Sequence, residues 1–318
     1  MPCADYTNAV LDALKAAAKK LPYPLFLRVF YGWYAATELR QARRALRRAS
    51  IPLLTREAML GEKKSDTLFA LGGGSSINQI TADRWAAIAK CDSIGINFWP
   101  LHPFVPTYYV FEKLAAADHP QGYALMMQML ARRAQEYRGT IKIVMEFHRR
   151  GEHVLDDFPA DFLANLYAAF SIPAPARSRQ ELNYALHHLD RRQAFSARGS
   201  FSHLLKYAAT LTTVLALAAK LEYRQVVLCG IDLRSQEYFF QDPNLFPETA
   251  EISLVPRAQP HATNLALDWR LPAEQVVPLI RETILAPRGI KLYVENRSSA
   301  LWPAIPDAPQ DLFSQVKN

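Results

Sequence analysis

The stretch LFALGGGSSINQI, residues 68–80, decides how the rest of the chain is read. Its apolar start suits a short buried strand, and three consecutive glycines then let the backbone turn sharply and approach another group closely. A helix opening after such a loop turns its free amide N–H groups toward it, which attracts phosphate. The spacing is neither G-x-G-x-x-G nor a Walker loop, so it specifies neither a dinucleotide nor ATP. Two readings stand. One is nucleotide or phosphate binding through Gly72, Gly73, Gly74, Ser75 and Ser76, favoured by a place after the first strand of an α/β unit. The other is a tight structural turn.

Working outward, short apolar runs alternate with helical patterns. Residues 67–71, 93–97, 107–111, 141–147, 225–229 and 290–294 read as strands. Residues 82–90, with Trp85 and Ile88 inward, and 122–137 read as helices. Such alternation predicts an α/β domain of Rossmann-like type, a mostly parallel sheet with helices on both faces. Residues 161–198, polar and rich in Arg and His, read as a helical insertion, placed in outline at about 150–200. Residues 204–221 read as one long apolar helix. No internal repeat or low-complexity segment interrupts the pattern.

At 318 residues, with 50% hydrophobic and 21% charged, the chain is no disordered tail, collagen-like repeat or small disulfide scaffold. Cys3, Cys91 and Cys229 are widely separated and lack metal spacing, which points to a reducing, cytoplasmic compartment. No signal peptide or membrane-spanning run is expected; residues 25–36 are short and interrupted by Arg28. A net charge of +7 favours anionic partners.

Residues 1–60 form a separate helical appendage, with residues 61–318 as the main domain. Residues 10–20 are rich in Ala and Lys. Phe26, Phe30, Trp33 and Tyr34 recur at helical spacing, followed by Arg40, Arg43, Arg44, Arg47 and Arg48. Aromatic rings beside arginines suit contact with an anionic membrane surface through residues 25–48. A helical cap packed on the main domain suits them equally. A nucleic-acid role fits less well, because the arginines cluster on one appended helix rather than on a recognisable module.

Two further stretches carry chemistry. In QVVLCGIDLRSQEYFFQD, residues 225–242, a buried strand ends at Gly230 and Asp232 follows where an open α/β sheet presents its ligand crevice. Asp232 could equally cap a helix. Arg234, Tyr238 and Asp242 follow within one loop and suit a sugar or phosphate. In HATN, residues 261–264, His261 stands on a loop after a Pro-rich stretch, a place for a base on a lid. His102, in WPLHPFVP, is expected to shape a turn, and His187 and His188 to face solvent. His148, beside Arg149 and Arg150, could touch a phosphate. No His and carboxylate spacing suggests a metal.

The ordered set GGGSSI, SIGIN, LALAAKLEYRQVVLCGIDL, RSQEYFFQD and HATN resembles the bacterial sialyltransferases of glycosyltransferase family 42, over roughly residues 66–300. The resemblance implies a metal-independent, cofactor-free transferase that takes a CMP-activated donor and inverts its anomeric centre. It implies nucleotide contacts from Gly72, Gly73, Gly74, Ser75, Ser76, Asn97, Glu112, Gly230 and Asp232. Donor-carboxylate contacts would come from Thr210 and Lys206, leaving-phosphate contacts from Arg234 and Tyr238 or Phe240, and the base would be His261. The acceptor would be a surface glycan such as lipooligosaccharide, lipopolysaccharide or capsule. The sequence departs from the family pattern at Ser75 (Pro there), Arg234 (Tyr) and Leu211 (Gly). Two alternatives remain: a nucleotide- or glycan-binding accessory protein, and a pterin diphosphokinase-like pyrophosphoryl transferase needing Mg²⁺, disfavoured by the lack of a carboxylate metal pair.

Overall fold

The structure is a computed structural model that describes residues 21–112, 120–145, 158–234, 237–249, 261–265, 267 and 270–314. The readings placed on residues 10–20, 148–150 and the Pro-rich stretch 251–260 fall outside the described residues. By contacts the chain divides into two units, Met1–Arg44 and Ala45–Asn318. The first holds α1 (Tyr23–Ala36) and most of α2 (Glu38–Ala49).

The second unit is built on eight strands. They are β1 (Thr67–Leu71), β2 (Asp92–Ile96), β3 (Tyr108–Glu112), β4 (Ile141–Met145), β5 (Leu166–Pro173), β6 (His203–Lys206), β7 (Gln225–Cys229) and β8 (Lys291–Val294). Every pairing is parallel, and the order across the sheet is β6-β5-β4-β3-β2-β1-β7-β8. The expected α/β architecture is therefore present, with a wholly parallel sheet. Between and around the strands run α3 (Arg56–Gly61), α4 (Ala82–Ala89), α5 (Pro120–Arg133), α6 (Ala160–Leu163), α7 (Arg179–Arg191), α8 (Thr210–Lys220), α9 (Ala273–Ile280) and α10 (Gln310–Ser314). Central strands such as IKIVM are buried at every position, as a sheet covered on both faces demands.

Two expectations are corrected. The stretch read as a helical insertion contains β5, an eight-residue strand between β4 and β6, followed by α7. Its run LYAAFSIP leads through Ala174-Pro175-Ala176 into the charged residues 177–192, so an average over the whole stretch hides it. α7 does show the helical period, burying Leu182, Ala185, Leu186 and Leu189, and Ser178 caps its start by accepting from Glu181 N–H at 3.2 Å. The second correction divides residues 204–221 into β6 and α8. Ala208 adopts φ +64°, breaking the helix, and Thr212 Oγ1 accepts the Tyr207 N–H at 2.9 Å. α8 is buried at all eleven positions and covers the middle of the sheet. It carries threonines there because their hydroxyls are satisfied locally: Thr213 Oγ1 donates to Leu205 O at 2.9 Å.

As expected, Trp85 turns inward, with its ring 4.8 Å from His102 and 5.1 Å from Phe104. His102 shapes its turn by accepting the Phe104 N–H at Nδ1, 3.1 Å away.

Two buried lysines make a stability prediction. Lys142 Nζ donates to Tyr137 O and Thr140 O, and Lys220 Nζ to Ser200 O. Among the described residues neither has a carboxylate partner, and burial pushes each down from 10.5 to about 8. The unfolded chain therefore binds more protons than the folded one between those values, so this contribution to stability grows as pH rises from about 8 and is lost as it falls. Buried cysteines and tyrosines titrate nearby with the opposite sign, so the clean readout is a difference. The stability of the native chain relative to the variant carrying Lys142→Met and Lys220→Met should rise between pH 7.5 and 9.5 in denaturant titrations. A flat difference would contradict it.

Candidate functional site

β1 to β6 are laid down in one direction across the sheet, and the chain then returns to place β7 on the other side of β1. The order reverses between β1 and β7, and such a switch point opens a crevice beyond the carboxyl ends of the two strands. The loops at those ends are Gly72-Gly73-Gly74-Ser75-Ser76 and Gly230-Ile231-Asp232, the two stretches singled out from the sequence.

The loops interlock. Gly72 N–H donates to Cys229 O and Gly74 N–H to Gly230 O, both at 2.8 Å. A Cβ on Gly72 would stand 2.6 Å from Gly230 O, and one on Gly74 would stand 2.4 Å from Asp232 Oδ2. Gly230 holds φ +64°, which glycine adopts at least cost. The glycines thus admit the neighbouring protein loop. Ser76 is buried, and both its N–H (3.0 Å) and its hydroxyl donate to the Asp232 carboxylate. Ser75 N–H donates to Glu237 O at 3.1 Å, and Ile77 N–H to Gly74 O at 3.2 Å. Asp232 is therefore the anion at this turn. Among the described residues, the Gly73 N–H and the Ser75 hydroxyl have no partner inside the protein.

The second loop is held from behind. Ser299 Oγ donates to Ile231 O at 2.6 Å, Ala300 N–H to Asp232 O at 2.8 Å, and Asn264 Nδ2 to Leu233 O at 3.4 Å. Leu233 adopts φ +61°, a strained conformation for a leucine, and delivers Arg234 into solvent.

Tyr238 and His261 meet over this crevice. Tyr238 forms a bridge with Gly74, its ring stacks on Phe240 at 5.2 Å, and its Oη lies 3.5 Å from His261 Nε2. Of the two rings considered for the leaving phosphate, Phe240 is buried and supports Tyr238, which alone presents a hydroxyl. His261 Nδ1 lies 2.8 Å from Thr263 Oγ1 and accepts the Thr263 N–H at 3.3 Å. Thr263 thus offers that nitrogen both a donor and an acceptor, and the choice decides whether Nε2 presents a proton or a lone pair. Burial, and then the charge of Arg270, lower the His261 pKa below its usual 6.5, so the ring is neutral at pH 7. Burial raises the Tyr238 pKa, keeping its hydroxyl protonated.

Asn97 follows β2 directly, with φ +52° and an exposed side chain that has no partner among the described residues. Glu112, Lys206 and Thr210 form a second cluster. Glu112 Oε2 lies 2.6 Å from Lys206 Nζ, and Glu112 Oε1 accepts from Thr210 Oγ1 at 2.5 Å. The family resemblance implied Glu112 for the nucleotide and the other two for a donor carboxylate; the structure joins them, with the Glu112 carboxylate on the Lys206 cation at the end of β6 and the Thr210 hydroxyl at the start of α8. Asp242, grouped with Arg234 and Tyr238, holds a local turn by accepting Asn244 N–H at 2.9 Å.

Arg270 was missed, since a lone arginine in LALDWRLP carries no motif. Among the described residues no group of three or more His, Cys, Asp or Glu could hold a metal ion. Comparison with protein-family models gives no match, and comparison with curated proteins gives none either.

The interlock can be tested directly. Gly74→Ala should destabilise the protein by about 1–3 kcal/mol, because the new methyl meets a carboxylate and a backbone carbonyl. Gly139→Ala, with nothing within 4 Å, should be neutral. Equal melting temperatures for the two variants would refute the close contact.

Proposed function

We propose that this chain is a glycosyltransferase moving a sialic acid or a related ulosonic acid, such as Kdo, from a CMP-activated donor to a cell-surface glycan at the cytoplasmic face of the membrane. The observation that carries the reading is the Tyr238–His261–Thr263 chain at the switch point of the sheet. A neutral histidine with a protonated phenol beside it supplies both halves of the reaction. His261 Nε2 takes the proton from the acceptor hydroxyl while that oxygen bonds to the anomeric carbon. The bond from that carbon to the phosphate breaks, and CMP leaves with the electron pair. Tyr238 Oη and the Arg234 guanidinium stabilise the departing phosphate. No metal takes part.

In this scheme Nδ1 gives up the Thr263 N–H that it accepts at 3.3 Å, takes the ring proton and donates it to Thr263 Oγ1, which leaves the Nε2 lone pair free. The nucleotide is held by groups that have no partner among the described residues: Gly73 N–H, the Ser75 hydroxyl and the Asn97 amide. A second reading, a binding protein without turnover, is favoured by two internal carboxylates. Asp232 occupies the Ser76 donors, and Glu112 occupies Thr210 and Lys206.

Thermal unfolding in the presence of CMP, UDP, GDP and ADP, with and without EDTA, separates these readings. CMP at about 100 times its dissociation constant adds roughly 2.7 kcal/mol of stability. CMP-selective, EDTA-insensitive stabilisation with turnover of a CMP-ulosonic acid is expected. Stabilisation without turnover favours the binding protein, and indifference to CMP overturns both.

Two variants test the chemistry. His261→Ala should lower turnover by ~10²-fold or more while CMP still binds. Thr263→Val leaves only the N–H facing Nδ1, which fixes the proton on Nε2, and should lower turnover with the histidine intact. Because the His261 pKa is lowered, the acid limb of the pH–rate profile should fall below pH 6.5. An unchanged rate in His261→Ala would end the base assignment.

A further inference from the structure

The N-terminal helices have no part in the scheme above, and their surface has a pattern of its own. α1, YPLFLRVFYGWYAA, carries one charge in fourteen residues, yet leaves large apolar side chains in water. Leu25 is 45% exposed, Val29 47% and Trp33 38%. Their spacing of four sets them along one side of the helix. Beside them Phe26 and Phe30 are half-buried, with ring centroids 5.9 Å apart, and Tyr34 stacks on Phe30 at 6.2 Å. An exposed apolar row this continuous is costly in water and marks a surface that something covers.

α2 shows the complementary pattern. Arg40, Arg43, Arg44, Arg47 and Arg48 recur at steps of three and four and are all exposed. Among the described residues none of the five has a carboxylate partner. One residue separates the helices, and it keeps the helical bonding: Thr37 N–H donates to Trp33 O at 2.9 Å, and Thr37 O accepts from Gln41 N–H at 3.0 Å. Counting about 100° per residue through Thr37, Arg40, Arg43 and Arg44 fall on the side that carries Leu25, Val29 and Trp33. One face of a single helical path is thus apolar and aromatic for about 12 Å, from Leu25 to Trp33, and then cationic.

We propose that this face docks on an anionic lipid bilayer, with Leu25, Val29 and Trp33 entering the headgroup–acyl boundary and the arginines paired with lipid phosphates. The two kinds of residue select this occupant together. A nucleic acid would satisfy the arginines but would give exposed Leu25 and Val29 no apolar phase to enter. A second copy would cover the apolar row but would leave both arginine stripes without a counter-charge. A bilayer rewards both, because lipid tails take the apolar side chains and a negative surface attracts the cations. No helix among the described residues is long and apolar enough to cross a membrane, so the contact lies along the surface. This inference does not depend on the transferase reading.

Flotation of the full chain with vesicles tests it. Phosphatidylcholine vesicles with and without 30 mol% phosphatidylglycerol would be compared at about 0.1 M salt. The native chain should float with the anionic vesicles and stay behind with the neutral ones. The variant carrying Arg40→Gln, Arg43→Gln and Arg44→Gln should partition roughly 100-fold more weakly. The variant carrying Leu25→Ser, Val29→Ser and Trp33→Ser should also lose flotation, with its melting temperature unchanged. Flotation that survives either variant, or none with the native chain, overturns the proposal. So would two further results: self-association abolished by the serine variant, or single-stranded polynucleotide bound equally by the native chain and that variant.

Discussion

The approach of two glycine-bearing loops, one after β1 and one after β7, is the contact on which the candidate site depends. A parallel sheet that reverses its order leaves two strand ends side by side with no helix between them. Here the gap is closed by backbone. Gly74 N–H reaches Gly230 O, and the space where side chains would stand is taken by a carbonyl and a carboxylate. Neither loop could tolerate even a methyl group at Gly72, Gly74 or Gly230 without moving the other. The positions of Tyr238 and Asp232 follow, because Tyr238 bridges to Gly74 and Asp232 bonds to Ser76.

That arrangement gives the glycine run a meaning different from the one its composition suggests. Glycines at the end of a strand admit whatever must come close, and sequence alone does not say whether that is a ligand or another part of the chain. In this protein the chain comes close. The Asp232 carboxylate takes the amide and hydroxyl of Ser76, and most of the loop amides are spent inside the protein. Glu112 does the same at the start of α8. Two negative groups of the protein thus sit where an external anion was expected, and each lends its charge to the local fold.

Features legible in the sequence were those whose cause is local. The apolar runs of β1, β2, β3, β4, β7 and β8, the glycine break, the Asp232 loop and the position of His261 can each be read within a dozen residues. β5 escaped because its apolar run lies inside a charged segment, and β6 because an apolar strand running into an apolar helix shows no change of composition at Ala208. The partnerships of the site were beyond reach for another reason. Ser76 and Asp232 are 156 positions apart and Glu112 and Thr210 are 98 apart, so their contacts exist only once the sheet has assembled. Arg270 was missed for a different reason: it lies only nine positions after His261, but no motif ties its charge to that ring.

The internal use of these groups narrows what recognition at the crevice can rest on. A ligand phosphate cannot use the Ser76 amide without displacing Asp232, and a ligand carboxylate cannot use Lys206 and Thr210 without displacing Glu112. Each exchange substitutes one anion for another and returns little net electrostatic energy, because the cation or dipole was already compensated. Discrimination therefore falls to the groups left uncompensated among the described residues: the Gly73 amide, the Ser75 hydroxyl, Asn97, the exposed Arg234, and the Tyr238–His261 pair. Arg234 is the strongest of these for an anion, being a full charge on a strained and braced backbone rather than on a mobile tail. The site that results holds one exposed cation, Arg234, the internally bonded carboxylate of Asp232 and an uncharged Tyr238–His261 pair, and in the proposed transfer the leaving phosphate would turn to Arg234.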